Sequence, residues 1–232
     1  LSLAFFGKTR GGPAKVGTVA SGLFGMVSGS AVANVMAVGP FTIPMMTRLG
    51  YKPKFSGGVI SVAGTGGQFM PPIMGAAAFI IAETLSIPYW SVVKAAFIPA
   101  VLYYVALWFI IDLRAQRANI QPLPDDQIPD WKKVLAGGAY LAIPVILLVY
   151  FLAIVRWSPI KSGFWSIISL IVISSFKKET RLTPSKFLKV LSDGAMGAIN
   201  VAIVCAAAGV IIGVLSLTGL SLKFSQLLVN LS

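Results

Sequence analysis

Two uncharged stretches near the start of the chain contain residue types that could bind an ion or a small solute. The first, Ser28 to Asn34, places two serines, a glycine and an asparagine inside a run from Val16 to Thr47 that has no charged residue. The second, Gly64 to Gln68 followed by Pro71-Pro72, interrupts another apolar run between Phe55 and Ala82. Backbone groups freed by such breaks are tolerated at membrane depth only where protein or a polar cavity satisfies them. Two breaks so close in sequence therefore predict a binding site.

In the first stretch two hydroxyls and an amide supply neutral oxygen atoms, which suit Na⁺, and a helix N-terminus at such a break can hold a substrate carboxylate. Structural alternatives stay open for each stretch. Small residues at 28–34 also allow close helix packing, and Pro71-Pro72 alone removes backbone donors and kinks a helix. The glycines at 64–67 lack the Gly-Lys-Ser/Thr of a phosphate-binding loop. Glu83, near the end of the second run, is a gate, a proton site or an interfacial charge.

Composition places the chain in a membrane. Its residues are 56% hydrophobic and 11% charged, whereas soluble domains carry about 25% charged residues. The formal net charge of +12 comes from basic residues clustered between apolar runs, which is typical of membrane-protein loops and not of a nucleic-acid-binding face. Histidine is absent, which argues against hydrolytic or transition-metal chemistry, and Cys205 is expected to be a packing residue. We predict an all-α, multi-pass integral membrane protein that is not an enzyme.

The apolar runs and the polar stretches between them divide the chain into four parts. Residues 1–113 form an apolar region with a re-entrant hairpin at about 16–47 and a broken helix at about 56–84, and residues 114–133 form a cytoplasmic loop. Residues 134–193 form a helical hairpin and an amphipathic connector, and residues 194–232 form the start of another apolar unit. Within these parts we expect Lys8, Arg10 and Lys15 to form a basic turn. We also expect Asp112 to mark a helix end and Val134 to Val155 to be one clean span.

The hairpin is predicted from the length of the first run and from the distribution of charge. The run from Val16 to Thr47 is longer than the about 20 residues needed for one crossing, yet short for two crossings with a loop. With a hairpin whose tip lies near 28–34, all basic residues but four fall on one side of the membrane: Lys94, Arg156, Lys161 and Lys223. A single crossing divides the charges more evenly, so the positive-inside tendency favours the hairpin, with its open end in the cytoplasm.

At these residues the sequence resembles the large membrane subunit of tripartite ATP-independent periplasmic (TRAP) transporters. The resemblance covers most of the chain and is greatest to the branch in which small and large membrane subunits are fused, often paired with TAXI-type binding proteins. Its motifs are Lys8-Thr9-Arg10-Gly11-Gly12, Gly29-Ser30-Ala31-Val32-Ala33-Asn34-Val35, Phe41-Thr42-Ile43-Pro44, Gly50-Tyr51, Gly66-Gly67-Gln68-Phe69-Met70-Pro71-Pro72 with Ile73 to Phe79, Ala82-Glu83, Ile87-Pro88-Tyr89, and Ala206 to Gly219.

The resemblance implies an elevator-type secondary transporter of the bacterial or archaeal cytoplasmic (inner) membrane, built from two inverted repeats that each contain a re-entrant helical hairpin. The second repeat would begin within 194–232. The resemblance also implies Na⁺ as coupling ion and no other cofactor, a periplasmic solute-binding protein, and a small membrane subunit that is separate or fused. The implied Na⁺ ligands are Ser28, Gly29, Ser30, Asn34, Gly64, Thr65, Gly66 and Gly67. The implied substrate-binding residues are Ser30, Asn34, Gln68, Pro71 and Pro72.

Two departures from the family pattern affect these expectations. Ala31 stands where the family usually has a second serine, which removes one candidate hydroxyl. The second hairpin is expected beyond Leu222, so we expect the chain to be a piece that does not transport by itself. We predict a permease subunit that imports an organic anion, a carboxylate, with uptake driven by a Na⁺ gradient. The alternatives are an ion channel or a Na⁺/carboxylate transporter that needs no binding protein; a membrane-embedded enzyme is disfavoured.

Overall fold

A computed structural model of the chain describes residues 2–124, 128–175 and 183–219, and within those ranges it contains helices and turns but no strand. Two compact units, 1–181 and 182–232, are described separately. The helices are α1 (Ser2–Phe6), α2 (Gly12–Ser28), α3 (Ala31–Arg48), α4 (Pro53–Gly66), α5 (Ala76–Thr84), α6 (Tyr89–Arg117), α7 (Trp131–Gly138), a 3₁₀ turn (Ala139–Ala142), α8 (Ile143–Ala153), α9 (Pro159–Ser175) and α10 (Pro184–Thr218). The predicted all-α class holds for the described residues.

Helices α2 and α3 form an antiparallel hairpin whose ends are set by local sequence. Gly29 ends α2 in the left-handed region, with φ 59°, and its N–H donates to the Gly25 carbonyl. Ser30 is extended and caps α3, since its side chain accepts from the Ala33 N–H at 3.2 Å. Two residues therefore suffice to reverse the chain. Pro40 lies inside α3 without ending it.

Helix α4 ends at Gly66, and nine residues of turns separate it from α5, as the interruption predicted near 64–72 requires. The helix starts with Pro53 in its first turn, where the absent N–H costs nothing. The Gly75 N–H donates to the Gln68 carbonyl at 2.5 Å and closes the irregular segment, which contains the cis peptide Pro71-Pro72. The backbone at this break is thus tied to itself and to α6, as described below.

Helix α6 is the one helix among the described residues that is long and apolar enough to cross a membrane. It packs against the hairpin and α4 around a core of buried side chains that includes Met46, Ile60 and Ile111. The expectation that Asp112 ends this helix is wrong, because α6 continues to Arg117. A carboxylate near the C-terminal end of a helix does not stop that helix when its charge is paired.

The expectation that Lys15 lies in a basic turn is also wrong, and Lys15 is the partner of Asp112. Lys15 does not lie in a basic turn but inside α2, where it is 4% exposed and its Nζ donates to Asp112 at 2.5 Å. Its Nζ also lies 4.6 Å from the centre of the Trp108 ring. Nearby, burial and, to a lesser extent, the Asp112 charge raise the pKa of Tyr51 to about 12. Lys15 is a structural cation that fastens the base of the hairpin to α6.

The expected clean span from Val134 to Val155 is also wrong. The segment is divided into α7, which ends at Gly138, a 3₁₀ turn over Ala139–Ala142, and α8. Gly137-Gly138 weakens the helix, and Pro144 removes a backbone donor at the start of α8. The chain then turns and returns as α9, so α8 and α9 form a second hairpin.

In the second unit, α10 runs without interruption from Pro184 to Thr218. The sequence suggested an amphipathic connector that ends at Asp193 and a separate apolar segment from Gly194. The structure differs because no proline follows Pro184 in this stretch and Gly194 alone does not end a helix. The hairpin expected beyond Leu222 lies outside the described residues.

Candidate functional site

The two interrupted segments meet where α2 crosses the end of α4. The crossing is so close that only glycine fits: a Cβ built on Gly67 would lie 2.7 Å from the Gly25 Cα and 2.8 Å from the Asn34 Nδ2. A Cβ on Gly64 would lie 3.2 Å from the Ala31 carbonyl oxygen. Backbone of the hairpin and backbone of the break are therefore in direct contact, which brings three of the predicted residues, Asn34, Gly64 and Gly67, together.

Asn34 occupies the centre of this contact. Its side chain is 0% exposed, and Nδ2 donates to the Ser21 carbonyl oxygen of α2 at 2.7 Å. The other amide atom, Oδ1, is buried and has no hydrogen-bond partner. An unpaired buried acceptor costs about 1–3 kcal/mol. The amide therefore ties the two arms of the hairpin together and leaves one oxygen for a further ligand.

Ser21, which the sequence analysis did not select, supplies a second oxygen of the same kind. Its side chain is 0% exposed, and Oγ has no hydrogen-bond partner. The sequence did contain a signal: Gly17, Ser21 and Gly25 are spaced four apart, a small-residue stripe on one face of α2. The two adjacent arms of the hairpin thus each contain a buried side-chain oxygen without a partner, one from a neutral hydroxyl and one from a neutral amide.

The hairpin tip lies against the other end of the break. A Cβ on Gly75 would lie 2.8 Å from the Gly29 carbonyl oxygen. The side-chain oxygens of the tip are partly used in local structure, because Ser28 Oγ accepts from the Ser30 N–H at 3.4 Å and Ser30 Oγ caps α3. Of the predicted tip residues, Gly29 thus contacts the end of the break, while Ser28 and Ser30 flank it in the chain, one turn of α3 away from Asn34.

Two tyrosines of α6 hold the last turn of α4 in place, and the sequence analysis treated them only as aromatic residues of a span. The Tyr104 hydroxyl donates to the Ala63 carbonyl at 2.8 Å, and the Tyr103 hydroxyl donates to the Val62 carbonyl at 2.8 Å. Gly66, a predicted ligand, packs against the Tyr103 ring, since a Cβ there would lie 2.6 Å from a ring carbon. Adjacent tyrosines facing an interrupted helix are the signal that was available.

The remaining predicted residues lie apart from the polar contact. Thr65 is exposed and its hydroxyl donates to the Ser61 carbonyl of its own helix at 2.9 Å. The Gln68 side chain is also exposed. Pro71 and Pro72 are buried and line an apolar cleft, while the Tyr89 hydroxyl donates to the Pro72 carbonyl at 3.3 Å. The structure therefore separates the predicted residues into the polar contact, the hairpin tip, the apolar cleft and the exposed side chains of Thr65 and Gln68.

The unpaired oxygens at the polar contact belong to a neutral amide and a neutral hydroxyl. Among the described residues, no group of three or more His, Cys, Asp or Glu side chains could hold a metal ion. Asn34 Oδ1 and Ser21 Oγ are neutral oxygens with free lone pairs, the ligand type that unwound transporter helices offer to Na⁺. Whether the predicted residues bind Na⁺ or substrate stays a prediction.

Comparison with known proteins identifies the family. The whole chain, residues 1–232, matches the family described as "Tripartite ATP-independent periplasmic transporter, DctM component". It is 30% identical over 151 residues to the C4-dicarboxylate TRAP transporter large permease protein DctM of Vibrio cholerae, a match that covers 65% of this chain and 32% of that protein. The DctM protein of Pseudomonas aeruginosa is 32% identical over 149 residues, covering 62% of this chain and 34% of that protein.

A third relative carries a different substrate in its name. The 2,3-diketo-L-gulonate TRAP transporter large permease protein YiaN of Escherichia coli is 27% identical over 149 residues, which cover 64% of this chain and 35% of that protein. The chain thus spans about a third of the length of these relatives. All three relatives are transport permeases, and none is an enzyme by name. Since the family match extends over every residue, this chain belongs to the DctM-component family, the large permease subunits of TRAP transporters.

Proposed function

We propose that the chain is the part of a TRAP permease that forms one Na⁺ site and one wall of the substrate path, in a transporter that imports an organic anion, a carboxylate, by alternating access. The intact protein would use the inward Na⁺ gradient and would receive its substrate from a periplasmic solute-binding protein. A small membrane subunit, separate or fused, would complete it in the cytoplasmic membrane. The elevator-type movement and the inverted repeats belong to the same proposal.

One observation carries the Na⁺ site: Asn34 is fully buried where the two interrupted segments meet, and its Oδ1 has no partner. Ser21 Oγ, buried and unpaired as well, belongs to the residue that binds the Asn34 amide through its carbonyl. Both atoms can accept from a donor or bind a cation. Leaving such oxygens unpaired costs free energy. A ligand that binds both oxygens therefore stabilises this arrangement of the hairpin and the break.

The charges around the site favour Na⁺ over a proton as coupling ion. Among the described residues, no Asp or Glu atom is among those nearest to Gly64 and Gly67, and the acidic side chain of α6, Asp112, is paired with Lys15 at the base of the hairpin. A neutral amide and a neutral hydroxyl do not titrate near pH 7. These oxygens can instead bind a cation. Cation binding at the contact is then coupled to how closely the hairpin and the break pack.

The names of the relatives support an acidic substrate. Two of them are named C4-dicarboxylate permeases, and the name of the third gives 2,3-diketo-L-gulonate, which is also a carboxylate. A carboxylate can be held by helix N-termini and backbone N–H groups near a break without a fixed positive charge. The start of α3 at Ser30 and the start of α5 after Gly75 are two such N-termini, and they lie against each other through the contact of Gly29 with Gly75.

Reconstitution of the intact permease tests this function. Uptake of the anion that the partner binding protein carries should require both that protein and an inward Na⁺ gradient, and K⁺ should not replace Na⁺. Asn34→Ala should shift the Na⁺ activation curve to higher concentration. Thr42→Val is the matched control, because Thr42 is also buried in α3 but its hydroxyl donates within its own helix, to Val38 at 2.8 Å.

The outcomes separate the proposal from its alternatives. Uptake that needs Na⁺ but not the binding protein would indicate a Na⁺/carboxylate transporter of another kind. Ion currents with no saturable uptake would indicate a channel. Equal Na⁺ activation in the wild type, Asn34→Ala and Thr42→Val would contradict the assignment of Asn34 to the ion site.

A further inference from the structure

A cavity of about 530 Å³ lies between the start of α6, the end of α8 and the start of α9, away from the Asn34 contact. It is lined by two cationic side chains, Lys94 and Arg156, together with Trp90, Trp157 and Ser158. In the part of the chain that the structure describes, neither Lys94 nor Arg156 forms an ion pair. Two unpaired cations at the edge of one cavity create a positive potential that attracts an anion.

Backbone dipoles reinforce that potential. Tyr89 to Ser91, the first residues of α6, and Ser158-Pro159, at the start of α9, line the same cavity. The N-terminal end of a helix carries a partial positive charge and exposed N–H groups. Trp157 is held in position, since its ring stacks on Phe151 with centroids 4.6 Å apart. The cavity therefore combines four positive contributions with a rigid aromatic wall.

Two apolar clefts open from this cavity. One, of about 360 Å³, shares Tyr89, Leu152 and Pro159 with it and continues between α8 and α9 toward Leu170. The other, of about 440 Å³, shares Trp90 and Lys94 with it and reaches Pro71-Pro72. Both clefts are lined almost entirely by apolar side chains. A cationic cavity from which two apolar clefts diverge is complementary in charge and polarity to a molecule with one anionic head and two hydrocarbon chains.

We propose that this cavity and its two clefts bind one anionic diacyl phospholipid. Its phosphate lies between Lys94 and Arg156, and its acyl chains enter the two clefts. Charge selects the occupant, because a zwitterionic lipid of the same chains gains less from two unpaired cations. A soluble phosphate or carboxylate fits the cavity alone but leaves the clefts without a partner. The lipid would contact both the Pro71-Pro72 segment and the α8–α9 hairpin.

Native mass spectrometry of the intact, detergent-purified permease tests the proposal. The protein is incubated with equal amounts of phosphatidylglycerol and phosphatidylcholine that carry identical acyl chains, and the bound lipids are counted. We expect phosphatidylglycerol to be retained over phosphatidylcholine by about 30-fold, the factor for two basic residues beside an anionic lipid. The double variant Lys94→Gln/Arg156→Gln should lose this preference, and Lys94→Arg/Arg156→Lys should keep it.

A matched control uses Lys52→Gln/Lys54→Gln, which removes two exposed cations before and within the first turn of α4. This control should keep the preference, and equal loss in both double variants would overturn the proposal. Lack of any preference in the wild type would overturn it as well. Glycerol 3-phosphate, which is the phosphate head without chains, separates a lipid from a soluble anion. If it displaces the lipid at equal concentration, the clefts contribute nothing and a lipid site is refuted.

Discussion

Replacing Gly67 with alanine places a methyl group where α2 and α4 cross. The backbone accepts the substitution, because Gly67 has φ −59° and ψ −26°, a conformation common to all residues. The obstacle is space: the new Cβ would lie 2.7 Å from the Gly25 Cα and 2.8 Å from the Asn34 Nδ2. Unstrained carbon atoms in contact lie about 3.5–4.0 Å apart. The hairpin and α4 must therefore separate by about 1 Å, so the substitution tests the contact itself.

The expected cost follows from this overlap. Overpacking of a well-packed core costs about 1–3 kcal/mol, and here one obstacle is backbone, which cannot rotate away. Gly58→Ala in α4, the helix that ends just before Gly67, is the matched control, since nothing lies within 4 Å of a Cβ there. Replacing glycine with alanine inside a helix stabilises the folded protein by up to about 1 kcal/mol. The two substitutions are thus expected to change stability in opposite directions, so that the free energies of unfolding of the two variants differ by about 1–4 kcal/mol.

Apparent melting temperatures of the intact permease in one detergent measure the difference. Gly67→Ala should melt below the wild type and Gly58→Ala at or above it, by about 2–4 °C per kcal/mol for a domain of this size. Wider separation of the two elements should also weaken Na⁺ activation of uptake in Gly67→Ala only. Equal melting temperatures for the two variants would refute the close crossing of α2 and α4.

Three further substitutions test other contacts in the same melting assay. Tyr104→Phe should lower stability by about 0.5–1.5 kcal/mol, because the Ala63 carbonyl loses its donor; an unchanged melting temperature would contradict that hydrogen bond. Asp112→Asn should destabilise more than Lys15→Met, since it leaves the buried ammonium without a counter-ion while the carboxylate is partly exposed; the reverse order would contradict the pairing. Thr65→Val should change stability by less than about 0.5 kcal/mol, because the side chain is exposed. A larger loss would contradict this, since it would mean that Thr65 contacts a residue outside α4.

The interruptions of the helices could be predicted from sequence, because glycine and proline act locally. Gly29 and Ser30 reverse the chain through their own backbone preferences, and the segment before Pro71-Pro72 cannot continue a helix. A common site was inferred from the closeness of the two interruptions in sequence, and the structure brings the two segments into contact. Asn34 was selected because its amide supplies a neutral oxygen for Na⁺, which stays a prediction. The structure shows that this amide is buried and donates to a carbonyl of another helix.

The partners themselves were not predictable, because they depend on packing across the fold. Ser21 is one of several small residues in α2, and nothing local distinguishes it as the residue beside Asn34. Lys15 was assigned to a turn because a lysine next to glycine and proline is usually exposed, yet Asp112, far along the chain, allows its burial. The break at Ala139–Ala142 was missed because hydropathy hides weak helix formers such as Gly137-Gly138 in an apolar span.

Equilibrium binding of radioactive Na⁺ to the purified intact permease tests the central claim most directly. The claim is that the buried, unpaired oxygens of Asn34 and Ser21 form a Na⁺ site where the two interrupted segments meet. The account predicts that Asn34→Ala binds fewer Na⁺ ions, or binds one at least tenfold more weakly, than the wild type and the Thr42→Val control. Identical Na⁺ stoichiometry and affinity in all three proteins would contradict it.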